Sequence, residues 1–199
     1  MSRLTKAAPS GTYRGRGVTL PFFTIGHSNR SIDTFVELLQ EPRVERVVDV
    51  RKMPMSRANP QFNRDSLPLA LEPYQISYEH IAALGGLRGR RPAEPSDVNG
   101  LWENRSFHNY ADYALTEEFR AGLAHLIGEG RKRRCAVMCS EAVWWRCHRR
   151  LIADNLIAHG ETVIHIMDKG RLEPARLTPG AVIRPDKSVV YPVAQPDPA

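Results

Sequence analysis

No apolar run in the 199-residue chain approaches the ~20 residues that span a bilayer, so no membrane partner is expected. The N-terminal stretch carries Arg3, Lys6, Arg14 and Arg16 but no apolar core ahead of a small-residue cleavage site. It is therefore not a secretory signal, and the expected location is the cytoplasm. Cysteine is scarce: Cys135, Cys139 and Cys147 are the three present, and three cannot all pair within one chain. In a reducing compartment they are expected as free thiols or metal ligands, not as a disulfide framework. There is no C-x-x-C and no H-x-x-x-H pair, so no metal or other cofactor is assigned. Neither an internal repeat nor a heptad is present, which excludes solenoids and long coiled coils.

What remains is the composition of a globular domain, 42% hydrophobic and 25% charged, long enough for a single substantial core. The formal net charge is +6. A basic surface favours an anionic small molecule or nucleic acid as partner, or else reflects an arginine-rich composition that serves only solubility.

Residues 1–20 mix Pro, Gly, Ser, Thr and Arg without periodicity and read as a flexible basic arm. Residues 21–170 read as the α/β domain. Phe22 to Gly26 is a short apolar strand, followed by the turn His27-Ser-Asn-Arg30. Ser31 caps a helix whose Ile32, Phe35, Val36 and Leu39 share one face, and Pro42 ends it. Val44 to Val50 is a second strand, continuous enough in apolar residues to argue for a parallel pair with a right-handed crossover. Asp49 within it needs a partner, either an arginine or backbone amides, unless it takes part directly in chemistry.

A short helix over Asp65 to Leu71 and a third strand over Gln75 to His80 follow. Residues 85–109 read as a long loop. Its Arg88, Arg90, Arg91, Arg105, Trp102 and Phe107 suit a lid over an anion, a strip for stacking bases, or a solvated insertion. Thr116 caps a helix with Phe119, Leu123, Leu126 and Ile127 on its buried side, and Gly128 and Gly130 end it. Arg131 to Arg134 forms a basic corner before the strand Cys135 to Cys139. A helix from about Arg146 to His159 comes next, then a last strand over Thr162 to Met167. Residues 171–199, punctuated by prolines, read as an extended, partly ordered tail.

The chemistry concentrates between Cys139 and Arg150, where a strand runs into a helix, the place where open α/β sheets bind ligands. Cys139 at the strand end is either a nucleophile, its thiolate stabilised by backbone amides, or a small buried hydrophobe. Glu141, beside Trp144, Trp145 and several arginines, suits a general acid/base, or else serves as a partner to a helix N-terminus or an arginine. His148 is a second proton-moving candidate, and Cys139, Cys147, His148 and His27 have the chemistry of metal ligands without the usual spacing. His165, alternating inside the last strand, reads as a core histidine. A strand-end thiol followed by an arginine resembles rhodaneses and cysteine phosphatases, and Asp49-Val-Arg51 resembles the Asp-x-Arg strand ending of rhodaneses. The loop here, however, is longer, lacks glycine and holds two tryptophans.

Several motifs in order are more specific. Thr24-Ile-Gly-His-Ser-Asn-Arg30, Val48-Asp-Val-Arg51, Asn59-Pro-Gln-Phe62, Leu84-Gly-Gly86, Tyr110-Ala-Asp-Tyr113 and Met138-Cys-Ser-Glu-Ala-Val-Trp-Trp-Arg-Cys-His-Arg-Arg150 together resemble the bacterial Domain of Unknown Function 488 family across residues 22–180. The resemblance implies a single α/β domain and no particular activity. The expected fold is a Rossmann-like three-layer domain, a mostly parallel sheet with helices on both faces. At the carboxyl edge of that sheet, Glu141, Cys139 and His148 are the catalytic candidates. His27, Ser28, Asn29, Arg30, Arg51 and Arg57 are substrate-binding candidates from the first two strand ends, and Trp144, Arg146 and Arg149 from the fourth. The leading expectation is an enzyme, a hydrolase or transferase, on a phosphate-bearing substrate such as a nucleotide or nucleic acid. The alternatives are a non-catalytic nucleic-acid-binding module and a metal-dependent enzyme with Cys and His ligands.

Overall fold

The computed structural model describes residues 19–89 and 98–193. A six-stranded sheet in the order β3-β2-β4-β1-β5-β6 forms its centre. The strands are β1 (Phe22–Gly26), β2 (Arg46–Asp49), β3 (Ser77–His80), β4 (Cys135–Cys139), β5 (Val163–Asp168) and β6 (Arg171–Pro174). The first five run parallel, and β6 pairs antiparallel with β5. Every residue of β1 and β4 is buried, as expected for central strands covered on both faces.

Alternation along those strands divides the core in two. Phe23, Ile25, Ala136 and Met138 face the side covered by α1 (Ile32–Gln40) and α2 (Leu67–Leu71). Phe22, Cys135, Val137 and Cys139 face the side covered by α3 (Arg105–Ala114), α4 (Glu117–Gly130) and α5 (Arg149–Ala158). This is the expected three-layer α/β arrangement. Among the described residues no helix is long and apolar enough to cross a membrane.

Strand order determines where a site can form. From β1 the chain crosses over β4 to reach β2, while from β4 it crosses over β1 to reach β5. Neighbouring strands whose connections depart in opposite directions leave a crevice beyond their carboxyl ends. Two hydrogen bonds pin its walls: His27 N donates to Cys139 O at 2.9 Å and Ser28 N to Ser140 O at 2.9 Å. Gly26 permits this approach, because a Cβ there would lie 1.9 Å from the Glu141 carbonyl oxygen.

Four expectations need correction. The 85–109 segment is not structureless up to residue 109: α3 begins at Arg105, capped by the Asn104 side chain, which accepts from Ser106 N and Phe107 N. Tyr110, Ala111 and Ala114 make its buried face, hidden in the sequence among weak helix formers (Ser, His, Asn, Asp). Gly128 does not end α4 but lies inside it: the helix ends at Gly130, which packs against the Phe22 ring where a Cβ would overlap it. The helix expected from Arg146 is interrupted: residues Trp144–Arg146 form a single 3₁₀ turn, and α5 starts only at Arg149.

The tail is the largest departure. Residues 171–193 add β6 to the sheet, then form a small antiparallel hairpin of β7 (Val182–Ile183) and β8 (Val189–Val190). Tyr191 is fully buried, and its hydroxyl donates to Asp154 Oδ2 at 2.9 Å. The 98–101 backbone is stitched to this tail, with Leu101 N donating to Tyr191 O and Tyr191 N to Val98 O. Proline density argued for an extended tail, but a buried aromatic with a charged acceptor outweighs it. The expected basic arm and the tail beyond residue 193 lie outside the described residues, as do Arg90 and Arg91 of the expected lid.

Candidate active site

A cavity of about 750 Å³ opens at the crevice. His27, Ser28 and Asn29 line it from the end of β1, and Arg51 and Lys52 from the end of β2. Cys139, Glu141, Arg146, Cys147 and His148 line it after β4. Parallel strands thus bring eight of the sequence candidates to one place, although they are scattered over more than 120 positions.

The β2 end is built on an ion pair. Asp49 is fully buried, and its carboxylate accepts from Arg51 N at 2.9 Å, Arg51 Nε at 2.9 Å, Arg51 Nη2 at 2.6 Å and the Tyr78 hydroxyl at 2.8 Å. Arg51 Nη2 also donates to Phe62 O at 2.6 Å, which ties the 52–63 loop to the strand end. Arg51 therefore lines the cavity with its charge already compensated by Asp49.

His27 sits against this pair. Its ring stacks on Phe62 with centroids 4.3 Å apart. Its Nδ1 lies 2.8 Å from Ser28 O, which can only accept, so Nδ1 carries the proton. Nε2 is then bare and faces Arg51 Nη1 at 3.3 Å. Burial, reinforced by the Arg51 charge, lowers the His27 pKa to about 4, so at neutral pH the ring is an acceptor.

The thiol–imidazole cluster lies at the β4 end. His148 Nε2 is 3.0 Å from Val50 O, which fixes the proton on Nε2 and leaves Nδ1 as a lone pair. That lone pair is 3.7 Å from Cys147 Sγ and 3.9 Å from Cys139 Sγ. Arg149, 1% exposed, donates from Nε to Cys147 Sγ at 3.4 Å and from Nη2 to Glu141 O. Among the described residues no carboxylate pairs with this buried guanidinium, so the available counter-charge is a Cys147 thiolate. Burial opposes ionisation of Cys147, but the hydrogen bond from Cys139 and the adjacent Arg149 charge draw its pKa below the usual thiol range. The hydrogen bond to Cys147 and burial push the Cys139 thiol up in turn. Cys139 is thus held as a thiol beside Cys147.

Free charge at the cavity comes from other side chains. Among the described residues Arg146 has no ion-pair or hydrogen-bond partner, and Lys52 has no acidic partner, its Nζ donating only to Leu87 O at 3.2 Å. Glu141 is exposed at the same wall. Met53, Met55 and Leu87 form an apolar rim, 71%, 60% and 79% exposed.

Four sequence candidates are not in the lining. Trp144 stacks on His165 with centroids 4.4 Å apart, while His165 is held by Thr24 Oγ1 at 2.7 Å. Arg30 holds the Gly26 and Met167 carbonyls, Arg149 donates to the Glu141 carbonyl beneath the site, and Arg57 is exposed outside the lining. Of the expected stacking strip, Trp102 and Arg88 are engaged in packing, whereas Phe107 also lines the cavity and Arg105 is exposed. Trp102 stacks on Phe107 at 4.8 Å, and Arg88 lies 3.7 Å over the Tyr113 ring while donating to the Gly85 and Ala82 carbonyls.

Lys52, Met53, Gly86, Tyr110 and Cys147 also line the cavity without having been singled out as substrate or catalytic residues. Lys52 and Met53 directly follow the Asp49-Val-Arg51 strand end and were findable by position. Tyr110 and Gly86 reach the site only through packing: the Tyr110 ring lies 4.9 Å from that of His148, and Gly86 abuts its Nδ1. In comparisons with known proteins, a family model described as "Domain of unknown function DUF488" matches residues 31–156. No curated protein and no solved structure matches the chain.

Proposed function

Because the chain belongs to the family described as Domain of unknown function DUF488, whose name assigns no activity, we propose from the site itself that it is an enzyme acting on an anionic, phosphate-bearing substrate. The observation that carries this reading is the meeting, in one cavity at the carboxyl edge of the sheet, of two cations without acidic partners among the described residues and a cluster of reactive side chains. Arg146 and Lys52 hold the anion by charge-assisted hydrogen bonds. The rim of Met53, Met55 and Leu87 takes an apolar or planar portion of the same molecule, which favours a nucleotide over inorganic phosphate. Glu141 exchanges protons with solvent and substrate, and the Cys139–Cys147–His148 cluster is the reacting centre.

The test is calorimetric titration of a nucleotide panel against the parent and the Arg146→Ala and Lys52→Ala variants, at low and high salt. Each substitution removes a charge-assisted contact and weakens binding about tenfold or more, with a shallower salt dependence. Glu141→Gln keeps binding and loses about 10²–10⁴ in turnover. Unaltered binding in both cation variants, or unaltered turnover in Glu141→Gln and Cys139→Ser together, defeats the reading.

A further inference from the structure

We propose that Cys139 Sγ, Cys147 Sγ and His148 Nδ1 are three ligands of a bound zinc-type divalent ion whose fourth position opens into the cavity. The inference rests on the ligand geometry and stands whether or not the substrate is anionic.

The three atoms all lie within 4.8 Å of one another. Ligands on a tetrahedral zinc, with Zn–S of about 2.3 Å and Zn–N of about 2.0 Å, sit roughly 3.6–3.8 Å apart. The 3.7 Å and 3.9 Å from Nδ1 to the two sulfurs are already close to that spacing. The two sulfurs lie within 4.8 Å of each other, so closing onto an ion takes a few tenths of an ångström at the imidazole and up to about 1 Å between the sulfurs.

The imidazole is prepared for the role. Its other nitrogen donates to the Val50 carbonyl at 3.0 Å, the outer partner that metal-bound histidines usually have. That bond sets the tautomer and aims the bare Nδ1 at both sulfurs. Gly86 keeps the approach clear, since a Cβ there would lie 2.7 Å from Nδ1. Arg149 Nε donates to Cys147 Sγ, stabilising the thiolate that a metal requires.

The chain spacing hides this site. Cys139 ends β4, while Cys147 and His148 follow the 3₁₀ turn, so the intervening residues loop out and return. Two thiolates and one imidazole leave one tetrahedral position. Because all three residues also line the cavity, a water or substrate oxygen can occupy it, which is the pattern of a catalytic zinc and not of a closed structural one. Cys135, the remaining cysteine, is at the opposite end of the same strand and takes no part.

The full chain, purified without a histidine tag, is stripped with chelator, re-equilibrated with Zn²⁺ and titrated against a chromophoric competitor. Co²⁺ loading is read in parallel. The parent is expected to hold one equivalent, to show a thiolate-to-Co²⁺ charge-transfer band and to unfold at higher temperature with zinc than without. Cys147→Ser and His148→Ala lower the affinity by more than about 100-fold, beyond what loss of an outer partner produces. Gly86→Ala, which retains all three ligands, lowers it at least about tenfold. Cys135→Ala keeps the parent affinity, as does Arg146→Ala, so this inference and the anionic-substrate reading fail separately. A parent that takes up no zinc, or ligand variants that fold and bind it as the parent does, overturns the proposal.

Discussion

Asp49→Asn is the sharpest test of how the site is held. The substitution keeps the shape of the side chain and removes its charge. In the parent, a fully buried carboxylate accepts three bonds from the Arg51 side chain, one from the Arg51 amide and one from Tyr78. Arg51 is only 6% exposed and has no other carboxylate partner among the described residues. Asparagine leaves that guanidinium buried and uncompensated, and turns an NH₂ group toward the Arg51 and Tyr78 donors. Breaking a buried pair from one side costs about 3–5 kcal/mol. Against a total stability of about 5–15 kcal/mol the variant still folds, with its urea midpoint lowered by roughly 1–2 M.

Tyr78→Phe, which removes a single donor, costs about 1.5 kcal/mol. The double variant Asp49→Asn/Arg51→Met is less destabilised than Asp49→Asn alone, because no charge is left stranded. Equilibrium urea unfolding followed by tryptophan fluorescence measures these proteins together with the Arg51→Met single variant, five in all. A loss below about 1 kcal/mol for Asp49→Asn, or simple additivity in the double variant, would refute the view that this pair is a mutually dependent buried unit. Arg51 also holds Phe62 O, so the same variant should loosen the 52–63 loop and weaken ligand binding at Lys52.

Three further outcomes follow from buried groups and tight contacts. His27 and His165 are both held near a pKa of about 4, burial being the main cause. The unfolded chain binds protons at these positions below pH 6.5 while the native state does not, so stability is full above that value and falls as pH drops toward 4. The loss is about 2 kcal/mol for each histidine after allowance for screening at the cavity edge, and His165→Gln should remove roughly half of the slope in pH-dependent urea unfolding. Tyr191→Phe deprives Asp154 of a donor and should cost about 1–2 kcal/mol, with faster proteolysis of residues 176–193; unchanged cleavage would show that the tail is anchored elsewhere. Gly26→Ala places a methyl group 1.9 Å from a backbone oxygen that cannot rotate away, and a thermal shift equivalent to less than about 3 kcal/mol would mean that the β1–β4 crevice is softer than its hydrogen bonds imply.

Local chemistry made much of this protein legible from residue order. The continuous apolar runs of β1, β2 and β4 specified buried parallel strands, because an alternating sequence could not cover both faces of the sheet. Ser31 and Thr116 marked helix starts since their hydroxyls satisfy free amides whatever the rest of the chain does. The demand of a buried aspartate for a cation pointed from Asp49 to Arg51, two residues away. Parallel strands then implied that Gly26, Asp49 and Cys139 would end at one edge.

Where long-range packing outweighed local propensity, the sequence was silent or misleading. The helix α3 is stabilised by the fit of Tyr110 and Ala111 against a core assembled from other elements, not by its own weak helix formers. The tail is ordered because Tyr191 finds Asp154, 37 positions earlier in the chain. Trp144 was drawn to His165 and Arg88 to Tyr113, away from the cavity, because aromatic and guanidinium faces bury better against a ring than against water. The thiol–imidazole cluster depended most on tertiary structure. Its residue types were visible, but no spacing rule joins Cys139 to Cys147 and His148; the Val50 carbonyl orients the ring, and Gly86 leaves its free nitrogen open. By itself the sequence determined which strands are buried and at which edge of the sheet the chemistry collects. Only the tertiary structure decided which side chains face one another there, because that depends on contacts between elements whose separation along the chain carries no signal.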